Sequence, residues 1–174
     1  LWVGADGSRL AEPDEPRFRS EIAAAAERCP VAAVCLLHAF RHPADEERVA
    51  RLLGEAGFAS VVCSHRVAAR PGFVVRMETT LAEASLHPVL DDYLGGVAKA
   101  GADAIEVMRS TGGMVPRERF HARDSLLSGP AGGVVGASRA ARAAGEARTL
   151  AFDMGGTSTD ASRFGGDFVF QREH

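Results

Sequence analysis

The sequence predicts an α/β fold in which parallel strands are joined by crossover helices and a β-hairpin lies near the C-terminal end. Residues 31–37 and 58–63 are continuous apolar runs of strand length, the pattern of strands covered on both faces. Between them, residues 45–54 put Val49, Leu52 and Leu53 on one helical face, and Gly57 follows the end of that helix. This strand–helix–strand rhythm implies a parallel pair with a right-handed crossover. The hairpin is read from a third stretch. There Leu150-Ala151-Phe152, taken as a buried strand, runs into Asp153 at a tight turn, Gly155-Gly156 follow, and hydroxyl residues lead to Asp160.

The remaining elements follow in order. Residues 1–20 open as a short extended segment around Gly4 and Gly7, then a polar loop with Pro13 and Pro16. Helix signals begin near Phe18 and run to Arg28, with Ile22, Ala25 and Ala26 on one face and Pro30 as the stop. After Ser64-His65 a loop around Pro71-Gly72 leads into a long helix over 75–100. Leu81, Ala84, Leu90, Leu94 and Val97 fit its period imperfectly, and Pro88 predicts a kink. Residues 105–108 alternate like a strand, and Ser110-Thr111-Gly112-Gly113 turns the chain. Residues 116–121 read as a short helix and Leu126-Leu127 as the end of a short strand.

Ser128 is placed to cap a helix that Gly145 ends, with Pro130 in its first turn, where a missing N–H costs little. Gly132, Gly133 and Gly136 each disfavour that helix by about 1 kcal/mol relative to alanine. Gly132, Gly136 and Ala140 recur every fourth residue. A close helix crossing or a ligand lying against the helix explains them equally well, as does plain close packing.

Composition bounds the class. The 174 residues suit one domain or two small lobes, and a net charge of −3 does not point to nucleic acid or an anionic membrane as partner. Positive charge is almost all arginine, with Lys99 the one lysine, and reads as a compositional bias. No apolar run approaches the roughly 20 residues of a membrane span, and no signal-peptide pattern is present. Cys29, Cys35 and Cys63 form no Cys-x-x-Cys pair and favour a reducing cytoplasm. A metal site from Cys29, Cys35 and His38 is disfavoured. The opening Leu1-Trp2-Val3 suggests a piece of a longer polypeptide.

The stretch 150–160 carries the chemistry. Glycines let a ligand approach the main chain, and free N–H groups in a tight turn attract phosphate oxygens. Thr157 and Thr159 add hydroxyl groups, and Asp153 or Asp160 is suited to a hydrated Mg²⁺. The competing reading is a plain hairpin with Asp-x-Gly-Gly in its turn. Neither the P-loop nor the dinucleotide pattern fits, because no Gly-Lys-Ser/Thr and no helix follows the glycines.

Two segments taken together are more specific. Ser125-Leu126-Leu127-Ser128-Gly129-Pro130-Ala131-Gly132-Gly133-Val134-Val135-Gly136-Ala137, followed by residues 152–160, resembles the hydantoinase/oxoprolinase A family. That family includes ATP-dependent hydantoinases, 5-oxoprolinases and acetone-type carboxylase subunits. Cys35-Leu36-Leu37-His38, Pro43, Glu46, Ser64-His65, Arg76, Thr79-Thr80, Pro88, Ser110 and Gly112-Gly113 match at the same relative places. The resemblance implies an actin-like, sugar-kinase-like (ribonuclease H-like) ATPase fold, present in part. Residues 1–70 would end an N-terminal lobe, and 71–174 would begin the core with its connecting helix and phosphate-loop hairpin.

The resemblance further implies a fragment of an ATP- and Mg²⁺-dependent hydrolase subunit. It would open a cyclic amide, hydantoin or 5-oxoproline, by phosphoryl activation of a carbonyl oxygen beside a B-type subunit or domain. Gly155, Gly156, Thr157 and Thr159 would hold phosphates. Asp153 would be the metal-side and catalytic carboxylate, with Asp160 second. An acetone-type carboxylase subunit and a non-catalytic ATP-binding regulatory module are the alternatives. Departures from the family pattern bear on substrate choice: Phe73 replaces an acid, Glu83 an asparagine, Arg66 an acid and Thr111 an asparagine. His38 and His65, each after a buried strand, read as a base or metal ligand or as partners of loop backbone. Arg76 is read as pairing an anionic substrate, or Glu78 or Asp92.

Overall fold

The computed structural model describes residues 2–12, 14–101 and 104–166, without the side chains of Trp2, Val3 and Arg9, so Pro13 of the predicted polar loop lies outside it. Two compact units emerge, Leu1–Gly96 with His121–Arg123, and Val97–Phe120 with Asp124–His174.

In the first unit a short antiparallel pair, β1 (Trp2–Val3) and β2 (Arg9–Ala11), precedes α1 (Glu15–Ala26). Helix α1 starts three residues before the predicted Phe18. The Asp14 carboxylate accepts from Arg17 N at 3.2 Å and Pro16 sits in the first turn, two start signals weaker on the page than the apolar period. Strands β3 (Val31–Val34) and β4 (Ser60–Cys63) pair in parallel, Val31 opposite Ser60 and Val34 opposite Cys63, with α2 (Ala44–Glu55) as the crossover. Ile22, Val34, Leu52, Leu53 and Cys63 form the core, with Phe18, Val49 and Phe58 packed on it.

The strand over 31–37 is shorter than predicted, and Ala33 is exposed, so β3 is not covered on both faces. It stops at Val34 because the next backbone groups go elsewhere. Leu36 N donates to Glu46 at 2.8 Å, and the carbonyls of Leu36 and Leu37 accept from Arg76. A single turn, α3 (Ser64–Val67), follows β4. Then α4 (Phe73–Lys99) begins where Arg76 N reaches back to Gly72 O and continues through Pro88. Arg76, Thr80, Glu83, Ala84 and Leu94 form its buried stripe.

In the second unit β5 (Glu106–Met108) and β6 (Met114–Pro116) form an antiparallel hairpin. Its turn needs glycine at 112. There φ is +83°, and a Cβ would lie 3.3 Å from Val135 of the next helix. The predicted helix over 116–121 is a single 3₁₀ turn, Arg117–Arg119, and a second 3₁₀ turn, Ala122–Ser125, follows it. Leu126-Leu127 is not a strand. Both side chains are exposed, and Leu127 is the N-cap position of α5 (Ser128–Ala143). Ser128 is therefore not the cap but the first helical residue, its hydroxyl donating to Ser125 O at 2.9 Å. Gly145, at φ +79°, follows the end of α5.

The hairpin of β7 (Thr149–Met154) and β8 (Thr159–Phe164) completes the unit. The expectation of a buried strand fails on one face. Leu150, Phe152 and Met154 are 70%, 72% and 81% exposed, on the face opposite the one that turns Asp153 toward Gly133 of α5. No helix of the described residues is long and apolar enough to cross a membrane.

Candidate functional site

The hairpin register decides which side chains can act together. Asp153 stands directly across from Asp160, and Met154 across from Thr159. Side chains alternate along a strand, so Ala151, Asp153, Asp160 and Ser162 share one face, and Phe152, Met154 and Thr159 share the other. The acidic face looks onto α5, where a Cβ on Gly133 would lie 3.7 Å from the Asp153 carboxylate. A cleft of about 520 Å³ opens there, with Pro130, Gly133 and Val134 on the helix side and Asp153, Asp160 and Ser162 on the strand side.

The sequence-derived candidates are thus partly assembled. Asp153 lies inside β7 and not at the turn. The turn itself is Gly155-Gly156-Thr157-Ser158, closed by Gly155 N donating to Ser158 O at 2.9 Å. That bond commits the Gly155 amide to the turn. Gly156 and Thr157 occupy the exposed tip, and Thr159 is on the face away from the two acids. Gly133 and Ser162 belong to the cleft and were not singled out as strand–helix partners of the acids. An i, i+2 pattern from Asp160 to Ser162 was the available signal.

Two like charges directly opposite each other on a sheet repel, and a hard divalent cation bound by carboxylate oxygens relieves that repulsion. The oxygen-only donor set and the side-chain-free wall at Gly133 fit a small hydrated cation carrying phosphate oxygens. The glycine pattern of α5 has a matching, if partial, account. Gly132 faces Met108 of β5 and Gly133 faces the cleft, while among the described residues no atom comes within 4 Å of a Cβ on Gly136, so of the three alternatives a helix crossing is the one these residues do not show.

A second cluster sits at the C-terminal ends of β3 and β4. Glu46, fully buried, accepts four hydrogen bonds: from Leu36 N (2.8 Å), Ser64 Oγ (2.6 Å), His65 N (3.0 Å) and His65 Nδ1 (2.7 Å). Ser64 Oγ in turn accepts from Nε of the buried Arg76 at 3.0 Å. The Arg76 guanidinium also donates to Arg70 O, Leu36 O and Leu37 O and lies over the Phe40 and Phe73 rings. So Arg76 pairs neither Glu78 nor Asp92 here; loop carbonyls and Ser64 take its donors. His65 Nε2 faces Glu47 at 3.0 Å. The hydrogen bond from Arg66, and then that from His65, hold the Glu47 carboxyl below its ordinary range. His38 lies in the turn after β3, its carbonyl accepting from Arg41 N and His42 N.

Glu46, Cys63 and His65 bring an oxygen, a sulfur and a nitrogen within 4.8 Å of one another, a different trio from Cys29, Cys35 and His38. The trio is chemically closed. The Glu46 lone pairs are spent on four donors, and burial, then the Glu46 charge, pushes the Cys63 thiol up to about 11, away from the thiolate a metal needs.

Three of the departures from the family pattern have structural partners. Arg66 pairs with Glu47 at 2.6 Å, and Phe73 lies 6.0 Å from the Arg76 guanidinium. Glu83 accepts from Ala122 N (3.0 Å) and Arg123 N (2.9 Å), holding that 3₁₀ turn on α4. Nothing in the structure explains Thr111.

Known proteins are similar to this chain in sequence and in fold. The hydantoinase/oxoprolinase family model matches residues 76–174. The 5-oxoprolinase of Saccharomyces cerevisiae is 36% identical over 162 residues, covering 90% of this chain and 13% of the relative. The 5-oxoprolinase 1 of Arabidopsis thaliana is 40% identical over 142 residues, covering 78% and 11%. Among solved structures, a nucleotide-free acetone carboxylase superposes with a TM-score of 0.79 at 23% identity, over 97% of this chain and 25% of its own. An ATP-dependent caprolactamase from Pseudomonas jessenii gives 0.73 at 27%, over 93% and 25%. The α/β fold is shared with both, and the chain spans a small part of the length of each relative. Leu36, Glu46, Ser64, His65 and Arg76, scattered in sequence, close into one hydrogen-bonded network, and the glycine-faced helix meets the acidic hairpin. Because the family model matches more than half of its length, the chain belongs to the hydantoinase/oxoprolinase family.

Proposed function

We propose that the chain is part of an ATP-dependent subunit that opens a cyclic amide, hydantoin or 5-oxoproline, through phosphoryl activation of a carbonyl oxygen. The observation that carries this reading is the Asp153–Asp160 pair facing the Gly133 wall of α5 across the cleft. ATP, when bound, supplies the phosphoryl group that turns an unreactive amide carbonyl into an electrophile. The chain's own task is positioning and charge neutralisation, the main demands of phosphoryl transfer. Asp153 would hold Mg²⁺ through its carboxylate with Asp160 in support from the opposite strand, and Gly156 and Thr157 would offer backbone and hydroxyl donors to phosphate oxygens. In this reading Gly155, its amide bonded to Ser158 O, shapes the turn, and Thr159, on the face away from the two acids, takes an indirect part.

The relatives named 5-oxoprolinase and the ATP-dependent caprolactamase support a cyclic-amide substrate. A B-type subunit or domain completes the enzyme in this reading, and the unpaired Cys29, Cys35 and Cys63 suit a reducing cytoplasm. A carboxylase reading is favoured by one observation, the 28% identity over 172 residues to the acetophenone carboxylase gamma subunit of Aromatoleum aromaticum.

The test is ATP-dependent turnover by the complete protein with its partner, on hydantoins and 5-oxoproline in one arm and on a ketone with bicarbonate in the other. Asp153→Ala is expected to lower kcat by about 100-fold or more, the scale seen when an electrostatic partner of a transition state is removed. Full activity in that variant would place the site elsewhere.

A further inference from the structure

His65 touches two carboxylates at once. Its Nδ1 lies 2.7 Å from Glu46 Oε2, and its Nε2 lies 3.0 Å from Glu47 Oε1. A neutral imidazole carries one N–H and one lone pair, so it donates to only one of the two. The other contact would then set a lone pair against a carboxylate oxygen at hydrogen-bond distance.

Neither carboxylate is free to supply the missing hydrogen. The Glu46 oxygens already accept from Leu36 N, Ser64 Oγ and His65 N. Glu47 Oε2 accepts from Arg66 at 2.6 Å, and the bonds from Arg66 and then His65 hold the Glu47 carboxyl below its ordinary range. The other ionisable groups of the cluster keep their own protons. Burial, then the Glu46 charge, pushes the Cys63 thiol at the end of β4 up to about 11. Arg66, on the same turn as His65, and Arg76 of α4, which reaches Glu46 through Ser64, are permanent cations.

We propose that His65 bridges Glu46 and Glu47 as a doubly protonated ring, and that loss of one proton opens the outer contact alone. The inner contact survives because Glu46 is fully buried, and stripping a donor from a buried charge is costly. Glu47 is 37% exposed at its side chain and keeps Arg66, so it can turn toward solvent. The bridge stands at the C-terminal ends of β3 and β4, the edge at which open α/β sheets take ligands. One proton therefore frees the Glu47–Arg66 pair at that edge while Glu46, Ser64 and Arg76 stay locked.

Ring nitrogens report these hydrogens directly. The complete protein, labelled with ring-¹⁵N histidine and assigned by the signal lost in His65→Gln, is followed upward from about pH 5 until the ring has lost a proton. Both nitrogens should start protonated, and a single step should leave hydrogen on Nδ1 and none on Nε2. Glu47→Gln keeps an oxygen acceptor but removes the charge, so it should move that step to lower pH. Glu21→Gln, on α1 and paired only with Arg17 four residues away, should leave it in place. A ring neutral from the start, a neutral ring with its hydrogen on Nε2, or a Glu47→Gln step at the wild-type pH would overturn the proposal. The measurement needs no turnover, so its outcome is independent of the function proposed above.

Discussion

The cluster at the ends of β3 and β4 and the cleft beneath the hairpin both gather acids, and they treat them in opposite ways. Glu46 has no exposed surface and four donors, and Ser64 links it to the buried cation Arg76. Asp153 and Asp160 are exposed, face each other across two strands, and border a cleft. A buried carboxylate whose lone pairs are all used has nothing left to offer a ligand. Its worth lies in tying α2, α3 and α4 to the strand ends. A pair of exposed like charges lowers stability and persists where something else uses it. The difference separates a polar cluster whose hydrogen bonds hold the fold from one whose carboxylates keep lone pairs open to a ligand.

The largest expected effect comes from breaking the first region. Glu46→Ala strands the Leu36, Ser64 and His65 donors and leaves Arg76 as an uncompensated buried cation. Removing one partner of a buried charge pair typically costs about 3–5 kcal/mol. Urea unfolding of the variant should show a midpoint lowered accordingly. A midpoint near wild type would mean that water replaces Glu46 at no cost and that the network is not a lock.

Asp153→Ala should do the reverse in the second region. Besides the loss of turnover, it removes a directly opposed charge from the sheet, a gain of about 0.2–1 kcal/mol. A thermal midpoint equal to or above wild type, together with lost turnover, marks a residue kept for function. A clear loss of stability would move Asp153 into the structural class.

Cys63 sharpens the contrast through pH. Its thiol is 1% exposed, and burial first and the Glu46 charge second push it up to about 11 from an ordinary value near 9.0. The unfolded chain therefore releases this proton earlier than the folded one. The contribution to stability is whole below pH 9.0 and is lost as pH rises through about 11. Thermal midpoints measured across that window should fall more steeply in wild type than in Cys63→Ala. Parallel curves would show that the thiol is not held neutral by the fold.

The sequence made the two regions unequally legible. The strand–helix–strand order and the hairpin were visible because each shows an apolar run or a turn signal, the long helix showed only an imperfect period, and the glycines of α5 left a ligand against the helix as one of three readings. Glu46 was harder to see because Asp45-Glu46-Glu47 resembles an ordinary solvated first turn. Yet Glu46 falls on the same face as Val49 and Leu53, three and seven residues on, so a charge on the apolar stripe was the physical signal available. Thr159 was misleading for a related reason. Its nearness to the glycines suggested a phosphate contact, whereas the two-residue strand period, fixed only by the Met154–Thr159 register, turns it away from Asp153 and Asp160. The exposed face of Leu150, Phe152 and Met154 escaped notice because an apolar run says nothing about which of its two faces is covered.

The smallest effect is expected at Arg66, on the rim of the first region. Arg66 pairs with Glu47 at 2.6 Å, with 60% of its own side chain and 37% of that of Glu47 exposed, and Glu47 also reaches His65. Arg66→Glu puts an acid where the family pattern commonly has one and removes the leading cause of the lowered Glu47 carboxyl. A depressed carboxyl stabilises the fold above its ordinary value and loses that contribution as pH falls through the folded one, so the variant should be slightly less stable near neutral pH and match wild type in acid. Salt screens exposed charges beyond roughly 3 Å at about 1 M, so the difference should shrink there as well. Because Glu46 keeps its four donors, the variant should retain the fold. A large, salt-independent loss would show that the lock extends outward through His65 to the surface and that its boundary lies beyond Glu46.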